Sequence, residues 1–459
     1  LFSHGSTYNN VPLPVGERTL GDYLRPHGLR VGLTGKTHFA PDHEGMSRLG
    51  IDPQSEPGML VSQCGFEPWE RDDGVHPDQS VDPDMAYNQY LRNQGYAGEN
   101  PWHSVANSAE GPNGEILSGW QMRNARLPAR VSREHSETAY MTNRAMHWID
   151  QLGDQPWCLH LSYIKPHWPY IVPAPYHSLY APEQILTANR QQHEKEDPHP
   201  VVAAFMKHEE SINFSRDEVR ETVIPAYMGL ITEIDDHLGR LMDFLEKREL
   251  LEKTMIVFTS DHGDYLGDHW LGEKELFHEE TVKIPMILVD PSAKADSTRG
   301  TCDSRFVESI DLIPTFLDVL GGDIPAHRLE GNSLLGLLRN SLNPEWRDTV
   351  YSEADYAWRK ARLELGLAPD ECRAFMVRTE RWKYIQYQKL PPQLFDLQSD
   401  PKEIKDLGSD PTKKPIRDDM ETRLNEWIRK RCLRSTISHE TIDARTGTAK
   451  DRGYMFGVW

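Results

Sequence analysis

An α/β fold built on a large, mostly parallel sheet flanked by helices is the architecture this sequence predicts, and three observations predict it. Short apolar runs rich in β-branched residues alternate with long amphipathic helical patterns, as expected of layered strand–helix units. Three of those runs end in polar turns that carry Lys with His, or Asp with His, and open α/β sheets gather their ligands at the C-terminal ends of strands. A chain of 459 residues is also long enough for one large core and a smaller second domain.

The first strand is expected over residues 29–34, running into Gly35-Lys36-Thr37-His38. Residues 50–133 then lose periodicity among Gly, Pro, Asn, Asp and Trp, and irregular stretches of that length are commonly functional or mobile. Trp69, Trp102 and Trp120 in this stretch are read as packing it against the body. Ser136 opens a helix whose Met141, Ala145, Trp148, Ile149 and Leu152 share one face. A second strand over 158–163 leads into Lys165-Pro166-His167, and residues 194–200 read as polar and exposed. A longer helix carries Tyr227, Leu230, Ile231, Ile234, Leu238, Leu241 and Leu245 on a core stripe, with Glu233, Asp235 and Asp236 on a solvated face. The third strand, 255–258, runs into Thr259-Ser260-Asp261-His262. Residues 343–346 read as a linker. After it come short antiparallel strands over 349–352, 374–379, 383–387 and 393–396, and a helix over 416–430. The expected division is an α/β domain over 1–342 and an α+β subdomain over 343–459.

Composition narrows the function. With 51 basic and 71 acidic residues the net charge is −20, which argues against nucleic acid or any other extended polyanion as partner. An anionic substrate would need a local basic focus, and Lys36, His38, His167 and Lys274 can supply one. Asp261 and His262 set a carboxylate oxygen beside an imidazole nitrogen, a pairing that suits a divalent metal. Five scattered cysteines make no disulfide framework and point to a reducing compartment, the cytoplasm before the periplasm. No apolar stretch is long enough to span a bilayer, so no membrane partner is expected; a homo-oligomer is left open. Gly35-Lys36-Thr37 is not read as a nucleotide loop, because Arg30 stands where the earlier glycine is required.

In order and spacing, Gly35-Lys36-Thr37-His38, Lys165-Pro166-His167, Thr259-Ser260-Asp261-His262-Gly263 and Lys274 resemble the pocket of type I sulfatases, within the alkaline phosphatase superfamily. Residues 308–317 and 382–401 agree, and residues 3–10 are most similar to the arylsulfatase/phosphonate monoester hydrolase branch. The resemblance implies an alkaline phosphatase-like fold and metal-assisted hydrolysis of sulfate esters. It implies Lys36 and Lys274 at the sulfate and leaving-group oxygens, and His167 as the acid that protonates the leaving oxygen, a task suited to imidazole. His38 would orient the nucleophile, Asn9 would line the substrate site, and Asp261 and His262 would hold one divalent ion. Calcium is the first expectation for that ion, with manganese or magnesium as alternatives. The three tryptophans acquire a second reading, contact with the organic part of the substrate. In this family the nucleophile is a formylglycine made from the Cys of Cys-x-Pro-x-Arg, and neither Cys64, Cys158, Cys302, Cys372 nor Cys432 stands in that motif. Residues 1–5 resemble the stretch just after it. The expectation is therefore that nucleophile and half the metal site lie upstream, that this chain alone is inactive, and that central sheet surface is left uncovered. Hydrolysis of a phosphonate monoester or phosphodiester, and a non-catalytic sulfatase-like binding role, are the alternative functions.

Overall fold

The computed structural model describes residues 4–9, 11–74, 77, 85–341, 346–431, 436–448 and 451–453. Among the described residues, the parallel sheet that positions the site has three strands: β1 (Arg30–Gly35), β2 (Glu67–Arg71) and, after helix α1 (Glu137–Leu152), β3 (Trp157–Ser162). Their order is β2-β1-β3. Val31 and Leu33 of the central strand are buried, which is why it reads as a continuous apolar run. Arg30 lies opposite Trp157 and Gly35 opposite Ser162, so β1 and β3 end at the same level.

Helix α1 begins where the sequence expects it, with the Ser136 side chain accepting from Ala139 N–H. It buries Met141, Ala145, Trp148 and Ile149. Trp148 lies so close over Gly32 of β1 that an added Cβ would sit 2.4 Å from the indole. The irregular stretch from 50 to 133 is a correction to the sequence reading, because it contains β2. That strand, Glu-Pro-Trp-Glu-Arg, carries charge and a proline, and it is tolerated because it is an edge strand.

Helix α2 (Asp217–Lys247) buries Leu230, Ile234, Leu241 and Leu245 as expected. Two of its residues are corrected. Ile231 is exposed, and Glu233 is buried, because residues 230, 233, 234, 237 and 241 make the true helical stripe. Burial pushes the Glu233 carboxyl up to about 7. The third expected strand, β4 (Ile256–Thr259), pairs antiparallel with β5 (Met286–Val289). Among the described residues these two form a separate ribbon rather than part of the parallel set. Phe258, Ile287 and Val289, on one face of it, are exposed.

The C-terminal sheet is antiparallel, in the order β6 (Thr349–Asp355), β7 (Arg373–Thr379), β8 (Trp382–Tyr387) and β9 (Gln393–Asp396). Its residues alternate between two faces. Val377, Tyr384 and Leu394 pack under Met420 and Leu424 of helix α3 (Lys414–Lys430). Ala374, Met376, Ile385 and Phe395 pack on Tyr265, Leu271, Leu276 and Phe277, so the sheet braces the loop that carries Lys274. The expected linker falls mostly on residues 343–345, outside the described residues, as does Cys432. No helix of the described residues is long and apolar enough to cross a membrane.

Candidate active site

The segment after β1 is held from two sides. Gly35 adopts a φ of +108, and a Cβ there would lie 1.8 Å from the Ser162 carbonyl oxygen, so no larger residue fits between β1 and β3. Lys36 N–H donates to that same oxygen at 3.1 Å. On the other side Asp73 Oδ1 accepts the N–H groups of Thr37 (2.7 Å) and His38 (2.9 Å). The Lys36 ammonium is thereby brought to 3.2 Å from Asp261 Oδ2, although 225 positions separate the two in sequence. The Asn9 amide donates to His38 Nδ1 at 3.0 Å, which leaves the ring proton on Nε2. Burial and the neighbouring Lys36 charge lower the His38 pKa.

Beyond β3, His167 Nδ1 lies 3.1 Å from the Trp168 carbonyl oxygen, an acceptor to which it can only donate. Its Nε2 is then a lone-pair acceptor, and the Lys274 ammonium donates to it at 2.7 Å. Burial first, and then the Lys274 charge, depress His167 to about 2. In this state the mobile proton sits on Lys274 and not on the imidazole. Burial also lowers the Lys274 pKa.

Past β4, His262 Nδ1 donates to Gly263 O at 2.8 Å. Its Nε2 faces Asp261 Oδ2 at 3.4 Å, and its ring meets that of His167 edge-on at 6.0 Å. Against the opposing effect of burial, Lys36 and His262 hold the Asp261 carboxyl down at about 2. Lys36, His38, His167, Asp261, His262 and Lys274, with Asn9 at its margin, thus form one cluster where β1, β3 and β4 end.

The loop between His262 and Lys274 is built by residues the sequence reading passed over. Tyr170 donates to Asp264 Oδ2 at 2.7 Å, and Trp168 Nε1 to Glu273 Oε1 at 2.6 Å. His269 is buried, 2.8 Å from Glu194 and 3.4 Å from Glu280. Burial opposes its charge, but those two carboxylates raise it to about 9. Glu194 is therefore a correction too, since its side chain points inward rather than to solvent. Of the three tryptophans, Trp102 is buried and donates to Glu137 at 2.6 Å, and Trp69 lies under Arg144. Trp120 packs 4.7 Å from Trp168, the residue after His167.

The pair Asp261 and His262 suits a cation. The Nδ1 bond to a backbone carbonyl fixes the tautomer that presents Nε2, and the 3.4 Å between Nε2 and Oδ2 allows both to reach one ion. Among the described residues no group of three or more His, Cys, Asp or Glu is arranged to hold a metal.

The Sulfatase family model matches residues 2–322 of this geometry's chain. The chain belongs to the sulfatase family. A second match, over residues 267–430, is to the C-terminal region of N-sulphoglucosamine sulphohydrolase. A multifunctional alkaline phosphatase superfamily protein, PehA of Trinickia caryophylli, is 29% identical over 93% of this chain and 82% of its own length. An arylsulfatase of Clostridium perfringens is 28% identical over 85% of this chain and 74% of its own. Among solved structures, the phosphonate monoester hydrolase SpPMH of Silicibacter pomeroyi superposes with a TM-score of 0.79 at 26% identity, covering 95% of this chain and 86% of that one. Sulfatase membership places this chain among the sulfuric ester hydrolases and gives it their alkaline phosphatase-like architecture.

Proposed function

We propose that the cluster binds the sulfate group of a small sulfate ester and stabilises the charge that develops as the ester bond breaks. The observation that carries this reading is the convergence of Lys36 and the Lys274–His167 pair on the Asp261–His262 turn. Cations held in a partly dry cleft act on charge developing in the transition state, where one contact is typically worth ~3 kcal/mol. Lys36, fixed at its backbone by Ser162, would meet the sulfate oxygens. Lys274 carries the mobile proton, and an arriving leaving oxygen would compete with His167 Nε2 for it. That proton would pass from Lys274 to the leaving oxygen as the ester bond breaks, leaving a neutral amine that solvent reprotonates, while the His167 Nε2 lone pair holds the Lys274 nitrogen in place. His38, turned by Asn9 to present Nε2–H, would orient the attacking group. No residue here matches the family's nucleophile, and in this reading it is a formylglycine supplied from outside these 459 residues.

A divalent ion on Asp261 and His262 would polarise the ester and activate the nucleophile. Calcium takes oxygen ligands, and an imidazole beside a carboxylate is a first-row transition-metal set more than a calcium one; manganese, which also accepts carboxylate oxygen, is therefore the ion to test first. The same imidazole supports a second reading, hydrolysis of phosphonate monoesters, and the phosphonate monoester hydrolases among the similar structures agree with it. The test is turnover of 4-nitrophenyl sulfate against 4-nitrophenyl phenylphosphonate by the manganese-loaded protein carrying its nucleophile. A higher kcat/KM for the sulfate is expected. The reverse order would promote the phosphonate reading, and no turnover of either would leave a binding protein.

A further inference from the structure

Asp73 ends the turn that follows β2, at the same sheet edge as the cluster. Its Oδ1 accepts two successive backbone N–H groups, those of Thr37 and His38, as an anion does in a backbone nest. Its Oδ2 takes the Arg71 Nε–H at 2.6 Å, and Arg71 in turn donates to the Phe39 carbonyl at 2.5 Å. Among the described residues, every side-chain bond of Asp73 therefore closes on the segment 37–39 or on the arginine that grips it. His38 sits in the left-handed region, with a φ of +48, which an L-residue with a Cβ adopts only under constraint. The Asp73 side chain is 16% exposed and its bonds are short, so it can impose that constraint.

We propose that Asp73 is a positioning residue for anion recognition: by holding His38 in its left-handed conformation it aims the His38 ring at Asn9 and the Lys36 ammonium at the pocket. The proposal rests on the reading of the cluster as a sulfate site. It assigns to the carboxylate the role of a hydrogen-bond acceptor, separate from any contact with the ester.

The test uses the full-length protein with inorganic sulfate as probe, and compares wild type, D73A, D73N, H38G and the H38G/D73A double variant. Binding is read by calorimetry, and the Thr37 and His38 amide signals by NMR. D73A should weaken sulfate binding about tenfold, the scale of a lost pair of charge-assisted hydrogen bonds after the segment relaxes. D73N keeps an oxygen that can accept both N–H groups and should recover most of the loss. Glycine adopts a φ of +48 freely, so adding D73A to H38G should cost less than about twofold. Equal losses in the two backgrounds, or a D73N variant no better than D73A, would overturn the positioning role. If wild type binds no sulfate, the anion-site reading fails. The clamp is then judged by the amides alone: loss of the downfield Thr37 and His38 signals in D73A supports it, and unchanged signals refute it.

Discussion

The Lys274–His167 contact divides the labour of proton transfer at the scale of single residues. Because Nδ1 of His167 is committed to the Trp168 carbonyl, its Nε2 can only accept, and it accepts from Lys274. Lys274 is then the group whose positive charge faces a leaving oxygen as the bond to sulfur lengthens. Interactions that strengthen only in the transition state appear in kcat rather than in KM. Lys274→Ala is therefore expected to lower kcat about a hundredfold, with KM changed by less than about threefold, in the intact enzyme on an aryl sulfate. Steady-state kinetics check this. An unchanged kcat with a raised KM would move Lys274 to ground-state binding of the sulfate.

At the scale of elements, the loop from Asp264 to Lys274 stands out because four of its non-glycine residues, Leu266, His269, Trp270 and Glu273, have left-handed backbone angles. Each such residue costs roughly 1–2 kcal/mol, and the buried His269 imidazolium between Glu194 and Glu280 is one of the contacts that offset part of it. The folded pKa of His269, about 9, lies above the unfolded value of about 6.5. Its contribution is thus fully present below pH ~6.5 and is lost as pH rises through the folded value, amounting to an order of 3 kcal/mol at the acid end. H269Q should melt well below wild type at pH 6, and the gap should narrow by pH 10. A gap independent of pH would mean that His269 is not charged in the fold. The sequence shows what kind of element is readable here. β1 and β3 are legible because buried parallel strands read as apolar runs, and their Lys and His ends follow directly. β2 is hidden by Pro68 and its charges, which an edge strand tolerates, and Asp73 is hidden with it. Glu194 is hidden because it turns inward to His269, distant in sequence, and Glu233 because its side chain is buried on the core stripe of α2; no local pattern records either placement.

On the scale of the whole molecule, a chain with a net charge of −20 brings two lysine ammonium groups to one sheet edge, beside three histidines that burial keeps from charging. Such a focus draws a small anion against the overall field, since nearby cations outweigh distant carboxylates over a Debye length of about 8 Å at physiological salt. The C-terminal sheet belongs to the same device. Ala374, Met376, Ile385 and Phe395 back the loop that presents Lys274, and the buried Lys383 ties that sheet to Phe277 O at 2.8 Å. The central claim is that Lys36 and Lys274, far apart in sequence, serve one anion. Calorimetric titration of the full-length, manganese-loaded protein with inorganic sulfate tests it most directly, comparing wild type with Lys36→Ala and Lys274→Ala. One sulfate per chain is expected; its fourth oxygen already carries the charge that an ester's leaving oxygen gains only as the bond breaks, so either substitution should reduce the affinity at least about tenfold, the scale of one lost charge-assisted contact. Sulfate binding that both variants retain at wild-type strength would contradict the account.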